Sequence, residues 1–224
     1  MQHLDVGALA RQLILTLVPM VLSLTVHEYA HAAVATALGD RTARQSGRLT
    51  LDPRAHVDPW GTLIIPALSV VLGGMAFIGW AKPVPCRPDR FRKGVPPRLG
   101  LALVAVAGPL SNLALAFAAA GGLAAAIRFH VPLAAERGPN ALAMLLTATF
   151  SLNVGLALFN LLPFPPLDGH RLLPSFLDPI VKPLERYGFA ILMIVFLMLP
   201  SVATVIFYKP LRLVQALIAS LFGL

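Results

Sequence analysis

Cysteine is almost absent from this sequence, which has a single one, Cys86, in 224 residues. One cysteine excludes an intramolecular disulfide and a zinc cage built from thiolates. Charged side chains are also scarce: they make up 12% of the chain, against about a quarter of an average soluble domain. A chain with so few charges cannot cover a water-facing surface, so the composition excludes a soluble globular protein.

Long apolar runs fill the chain instead, and apolar residues make up 57% of it. The segments 9–38, 100–127, 141–162 and 187–207 are each long enough to cross about 30 Å of hydrocarbon. The sequence therefore predicts an all-α polytopic membrane protein, a bundle of four to five transmembrane helices forming one domain over residues 1–224. The net charge is +8. Basic residues in short loops between spans usually set the topology of a membrane protein, so this charge does not predict a nucleic-acid partner.

The two ends of the chain carry further predictions. Residues 13–26 are similar to the apolar core of a signal peptide, but the apolar run continues past the cleavage-like Ala30-His31-Ala32, which disfavours that alternative. The tail 209–224 is predicted to be an interfacial helix.

The segment 61–80 is ambiguous, because Pro66 and the pair Gly73-Gly74 weaken a straight spanning helix. Cytoplasmic loops carry an excess of Lys and Arg. If the segment enters the membrane and returns, with the N-terminus outside, thirteen of the eighteen Lys and Arg are cytoplasmic; if it crosses, with the N-terminus inside, only ten are. The charges therefore favour a re-entrant segment, whose irregular backbone must be shielded by protein or line a cavity.

Two polar connectors flank this segment. The stretch 39–60 contains "RLTL", whose alternation predicts a short β-hairpin. The proline-rich, basic stretch 81–98 predicts an extended cytoplasmic loop with an edge strand around 82–86. An exposed strand near 48–51 or 82–86 could hold an extended peptide by strand addition.

The strongest chemical signal is "HEYAH", residues 27–31, inside the first apolar run. Residues four apart share one helix face, so His27 and His31 can bind one metal ion together. Glu28 can reach a water activated by that metal and act as general base. Ionisable groups at a span's centre cost on the order of 2.5–3.5 kcal/mol each, and a divalent cation compensates for them.

A catalytic zinc site needs a third protein ligand. Asp168 lies in "NLLPFPPLDGH", where three prolines stop the preceding helix and Gly169 permits a tight turn. Such a break can aim a carboxylate inward at membrane depth. The alternative is a water-facing Asp at a proline-terminated helix end.

Three stretches in order resemble the motifs of the site-2 protease family of intramembrane zinc metalloproteases. They are "HEYAH" from His27, "GPLSN" from Gly108 to Asn112, and "NLLPFPPLDG" from Asn160 to Gly169, which together span 27–169. The first motif alone occurs in many zinc proteases, whereas the ordered set on apolar segments is specific.

The resemblance implies that His27, His31 and Asp168 bind Zn²⁺ and that Glu28 is the catalytic base. It also implies that Asn112 and Asn160 line the active-site cleft, where their amides could bind substrate backbone. The expected protein is a minimal protease core, without PDZ or CBS domains, in a prokaryotic cell membrane. Its active site is expected towards the cytoplasm and its substrates are other membrane proteins, cleaved in or near their transmembrane segments.

Alternatives stay open at this point. A metal-binding membrane transporter would place ligands along a path through the bilayer. An intramembrane protease of the CAAX-processing design would use a glutamate as third ligand, with Glu136 or Glu185 as candidates. A catalytically inactive scaffold is disfavoured because every expected catalytic residue is present. His56 and His170 are predicted to lie behind the ligands or in the cytoplasm rather than on the metal.

Overall fold

The computed structural model describes residues 5–72, 79–135 and 138–224. The α-helices within these ranges are α1 (Val6–Ala37), α2 (Thr42–Gln45), α3 (Ile65–Val71), α4 (Pro97–Arg128), α5 (Ala141–Leu161), α6 (Asp178–Glu185), α7 (Gly188–Met198), α8 (Pro200–Ala203) and α9 (Lys209–Leu221). Short 3₁₀ turns are Pro53–Ala55, Pro88–Arg90, Asp168–Leu172 and Ser175–Leu177, and π-helical turns are Pro59–Ile64 and Thr204–Tyr208. Strands β1 (Ala134–Ala135) and β2 (Gly138–Pro139) pair antiparallel, with Ala134 opposite Pro139.

Four helical stretches in the described part of the chain are long and apolar enough to cross a membrane: α1, α4, α5 and the run Pro200–Leu221. This confirms the predicted all-α polytopic class. Local signals set the helix ends: Asp5 caps α1 by accepting the amide protons of Gly7 and Ala8, and Asn140 caps α5 by accepting that of Ala143. Both side chains satisfy amides that lack a helical partner.

The fourth predicted span is wrong in its bounds. The apolar segment 187–207 is broken at Leu199, which lies between α7 and the helix that begins at Pro200. Pro200 ends the first helix because its ring cannot continue the hydrogen-bond ladder. The helical run long and apolar enough to cross a membrane is Pro200–Leu221. Residues 209–221 continue this run, and the interfacial position predicted for 209–224 stays a prediction.

Helix α4 packs between α1 and α5, and small residues line these contacts. Ala32 and Ala35 of α1 and Ala116 of α4 have no exposed surface. Without a hydrophobic driving force in lipid, close backbone approach through small residues is how helices associate. Aromatic rings fill the space between α5 and the C-terminal helices, with Phe159, Phe196 and Phe207 in edge-to-face contact.

The predicted re-entrant segment 61–80 includes residues 73–78, which lie outside the described residues. Its two ends lie side by side. The Trp80 amide donates to the Gly61 carbonyl at 3.2 Å, and the Thr62 hydroxyl donates to the Trp80 carbonyl at 2.7 Å. Residues 61–62 and residue 80 therefore lie next to each other, as the two ends of a re-entrant segment must.

The predicted hairpin in 39–60 and the edge strand at 82–86 are wrong, since all of these residues are described and none forms a strand. Pro83 and Pro85 lack the amide protons that a strand ladder needs. Two of the other amides are bonded within the protein: Lys82 donates to the His56 carbonyl at 2.9 Å and Val84 to Glu28 Oε2 at 2.9 Å. The stretch is an extended connector held across the end of α1.

Candidate metal centre

Helix α1 presents two imidazoles to one point. His27 and His31 are both buried, with side-chain exposures of 5% and 10%. Their Nε2 atoms are 3.0 Å apart, and the rings meet edge to face. The one-turn spacing of the two residues produces this arrangement directly, as the sequence predicted.

The third group arrives from the broken stretch after α5. That helix ends at Leu161, and the proline-rich stretch turns the chain back so that Asp168 Oδ2 lies 3.2 Å from each Nε2. Gly169 makes the turn possible, because a Cβ at this position would lie 2.4 Å from the Leu161 carbonyl oxygen. The sequence prediction that prolines and a glycine aim this carboxylate inward agrees with the geometry.

The Nδ1 atoms of the two imidazoles are both bonded behind the site. His31 Nδ1 donates to the Val104 carbonyl at 2.7 Å, and a carbonyl can only accept. His27 Nδ1 lies 2.6 Å from Asn112 Oδ1. The amide nitrogen of Asn112 donates to Asn153 at 2.8 Å, so the oxygen of Asn112 faces the ring and His27 Nδ1 is the donor. In the neutral form that binds a metal, each ring therefore carries its proton on Nδ1 and a lone pair on Nε2.

Three potential metal-ligand atoms therefore converge on one point. Two neutral Nε2 atoms and a carboxylate oxygen form a triangle with sides of 3.0, 3.2 and 3.2 Å. Ligands about 2.0–2.1 Å from a tetrahedral zinc lie about 3.3 Å apart. The donor types and the spacing both fit Zn²⁺, and a cation resolves the repulsion among the three acceptors. Asp168 is 21% exposed, so the centre is open on the carboxylate side.

Glu28 lies on the same turn of α1 and is buried. Its Oε2 accepts the amide proton of Val84 at 2.9 Å, which ties the extended connector 80–87 to the residue expected to act as base. Among the described residues no hydrogen bond to Oε1 is formed, so that oxygen is available to exchange a proton. The connector thus passes directly beside the candidate base.

The asparagines predicted to line the cleft have different surroundings. Asn112 is fully buried and its oxygen and nitrogen are used by His27 and Asn153, so neither end of its amide is free to bind a substrate. Asn160 donates its side-chain amide to the Leu156 carbonyl at 3.0 Å, inside its own helix. Its oxygen is the only part left for a substrate.

The two extra histidines stay away from the three-residue cluster, as predicted. His56 is 1% exposed and its Nε2 bonds the Thr50 carbonyl at 2.9 Å. His170 Nδ1 bonds the Leu167 carbonyl at 2.5 Å. Within the described ranges, the grouped potential ligands are His27, His31 and Asp168.

Sequence reasoning missed the groups behind His27, namely Asn153 and Ser23, and the packing role of Gly108. No motif marks the first two, which contact residues 41 and 130 positions away. A Cβ on Gly108 would lie 2.5 Å from both His27 Cε1 and His31 Nε2. The glycine lets α4 approach α1 closely enough to enclose both rings.

We expect Gly108→Ala to weaken zinc binding by on the order of ten- to a hundredfold, because the methyl group displaces both imidazoles. Zinc competition against a chelator on the purified protein measures this. Gly122→Ala on the same helix is the control, since its Cβ would meet Leu146 at an ordinary 3.4 Å. Equal affinity of the two variants would contradict the assigned close approach.

Cys86 is expected to be unreactive and to play no part in metal binding. Burial, and then the nearby charge of Asp40, raise the pKa of the Cys86 thiol to about 11. Since only the thiolate is nucleophilic, alkylation of the folded protein at pH 7 is expected to be roughly a hundredfold slower than that of the unfolded chain. Cys86→Ala is expected to keep its zinc. Rapid alkylation, or zinc loss in that variant, would refute this.

An H-E-x-x-H helix and a distal aspartate meet at one buried point in this helical membrane protein. These features are typical of membrane-embedded metalloproteins. Comparison with known proteins identifies the family. The family model described as Peptidase family M50 matches residues 133–201. The Bacillus subtilis protein named as zinc metalloprotease YwhC is 40% identical over 183 residues, which cover 80% of this chain and 78% of the relative.

The proteins named as zinc metalloprotease Rip2 are more distant relatives. The one from Mycobacterium tuberculosis is 33% identical over 85% of this chain and 69% of its own length, and the one from Mycolicibacterium smegmatis is 32% identical over 81% and 66%. The comparison with solved structures gave no match. The chain belongs to peptidase family M50, the site-2 protease family. It is a metalloprotease, and its metal is Zn²⁺.

Proposed function

We propose that this protein is an intramembrane endopeptidase in which His27, His31 and Asp168 bind the zinc ion and Glu28 is the general base. The convergence of two Nε2 atoms and a carboxylate oxygen on one buried point supports the ligand assignment. In the neutral form that binds a metal, both ring protons lie on the far side, towards Val104 and Asn112, and the lone pairs face the near side. A divalent cation satisfies all three acceptors.

The chemistry divides between the metal and the chain. When bound, Zn²⁺ supplies Lewis acidity that polarises a peptide carbonyl and makes water a nucleophile near neutral pH. Glu28 takes a proton from the attacking water on Oε1 and passes it to the leaving amine, so that the carbon–nitrogen bond breaks without building charge on nitrogen. The Val84 amide proton on Oε2 holds the carboxylate in place during both transfers.

The depth of the centre supports cleavage within the membrane. His31 lies six residues before the end of α1 at Ala37, about 9 Å along the helix axis. Val104 lies seven residues after the start of α4 at Pro97, about 10 Å from that end. These ends of α1 and α4 border the connector 38–96, which holds nine of the eighteen Lys and Arg residues. The positive-inside rule assigns this side to the cytoplasm.

Water has a route from the same side. A cavity of about 500 Å³ borders the turn that carries Asp168, and five charged residues line it together with Pro166 and His170: Arg98, Arg171, Asp178, Lys182 and Glu185. These charged side chains hold water where lipid would exclude it. We infer that the attacking water enters here, beside the exposed edge of the carboxylate.

The substrate is a membrane protein that unwinds locally to expose a peptide bond. The connector 80–87 contacts the base through the Val84 amide, and the carbonyls of Trp80, Lys82 and Pro83 accept bonds within the protein. A peptide lying along the connector would pair with the backbone groups that remain free.

Purified protein in detergent or liposomes, incubated with a membrane-spanning substrate, tests this function. Zinc-dependent cleavage within or next to the spanning segment is the expected result. Zinc flux into proteoliposomes with no cleavage of any spanning substrate would instead support a transporter.

A further inference from the structure

The side-chain amide of Asn112 has two ends of nearly equal shape, and its orientation decides which nitrogen of His27 carries the ring proton. With the oxygen towards the ring, His27 Nδ1 is protonated and Nε2 keeps its lone pair. With the amide reversed, Asn112 would donate to Nδ1, and the ring proton would move to Nε2, where it points at the metal position. Asn112 alone does not determine this choice.

Asn153 determines the orientation of the Asn112 amide, because Asn153 is itself oriented by the Thr149 carbonyl, which can only accept a hydrogen bond. Asn153 Nδ2 donates to the Thr149 carbonyl at 2.8 Å and to the Ser23 hydroxyl at 2.8 Å. Its nitrogen is therefore fixed, and its oxygen must face Asn112, whose Nδ2 it accepts at 2.8 Å. The direction of each hydrogen bond is therefore fixed, from the backbone of α5 through Asn153 and Asn112 to the ring of His27.

Burial gives this polarity its energetic weight. Asn112 and Asn153 have no exposed surface and Ser23 is 1% exposed. A buried polar atom left without its partner costs the full desolvation of that group, so a reversed amide would leave several such atoms unpaired. Buried networks of this kind impose one arrangement when every member is satisfied.

We propose that Asn153 is a positioning residue of the zinc site: it holds the Asn112 amide in the orientation that keeps the His27 Nε2 lone pair directed at the metal. Asn153 touches neither metal nor substrate and lies outside the three motifs that identify the family. This inference rests on the proposed role of His27 as a ligand.

The decisive variant is Asn153→Leu, which keeps the volume and removes the acceptor for Asn112. We expect about a tenfold loss of zinc affinity, measured by chelator competition on the full chain in detergent. The loss is partial because the Ser23 carbonyl, 3.5 Å from Asn112 Nδ2, remains as a weak acceptor. Asn153→Ala serves as a second variant if the leucine protein does not fold.

Two further variants separate orientation from packing. Ser23→Ala is expected to change zinc affinity by less than about threefold, because the Thr149 carbonyl still fixes the Asn153 amide. Asn112→Asp added to Asn153→Leu is expected to restore affinity, because a carboxylate accepts from His27 Nδ1 whichever way it turns. A purely structural defect at position 153 would not be repaired by a change at 112.

Asn153→Leu binding zinc within threefold of wild type, or the double variant binding no tighter than Asn153→Leu, would overturn the inference. His27→Ala makes the two proposals distinguishable. If wild type binds no zinc, or His27→Ala binds it equally well, the proposed ligand set fails. If His27 is required but Asn153 is not, only the positioning role fails.

Discussion

Replacing Glu28 with glutamine is expected to abolish cleavage of a membrane-protein substrate while the purified protein keeps its zinc. Glutamine retains an oxygen that accepts the Val84 amide proton, so the connector beside the site stays in place. It cannot take up a proton, and general base catalysis contributes about 10²–10⁴-fold. The expected rate loss is of that size, measured on substrate in liposomes with zinc content determined on the same sample.

Glu185→Gln is the matched control, because that side chain is 55% exposed with His170 at 3.9 Å, and glutamine keeps a polar group in the cavity wall. It is expected to cleave at the wild-type rate. A folded, zinc-loaded Glu28→Gln protein that cleaves within a few fold of wild type would remove Glu28 from the mechanism.

Replacing Asp168 with alanine is expected to remove zinc from the protein. The carboxylate is one of three groups around the metal position, and it lies 3.2 Å from both other ligand atoms. Zinc sites with four protein ligands are worth about 10–16 kcal/mol, so one ligand of three accounts for at least a hundredfold in affinity. Metal analysis after dialysis against a weak chelator gives the result.

Asp178→Ala tests whether this loss is specific to position 168. Asp178 is ten residues further along and forms an exposed ion pair with Arg98 at 3.2 Å, which contributes little to stability. Full zinc content in Asp178→Ala and none in Asp168→Ala is the expected pattern. Full zinc in both would revive the alternative in which a glutamate completes the site.

The sequence predicted the cluster of His27, His31 and Asp168 because its geometry is local or marked by strong backbone signals. One helical turn brings His27 and His31 together, and a run of prolines with Gly169 breaks the chain where Asp168 must turn inward. Charge counting predicted the return of 61–80, and the contact between Gly61 and Trp80 agrees with it.

The rest of the site depends on how helices pack, which the sequence pattern does not reveal. Asn153 and Ser23 lie 130 positions apart and meet only because α5 and α1 both face α4. In apolar helices without a clear amphipathic face, nothing in the sequence says which polar side chain points inward. Asn112 was therefore predicted to face the cleft, although it is buried behind His27.

The break near Leu199 was missed for a related reason. Residues 187–207 are almost all apolar, so hydropathy alone predicts a single span. The structure has two helices there, and the second begins at Pro200. The hairpin predicted in 39–60 failed because alternation over four residues is weak evidence when no partner strand follows.

Zinc-edge X-ray absorption on the purified wild-type protein identifies the atoms bound to the metal. We expect one zinc per chain with two imidazole nitrogens and oxygen ligands at about 2.0–2.2 Å, and no sulfur. A sulfur shell at about 2.3 Å, or a zinc with fewer than two imidazoles, would contradict the ligand set of His27, His31 and Asp168.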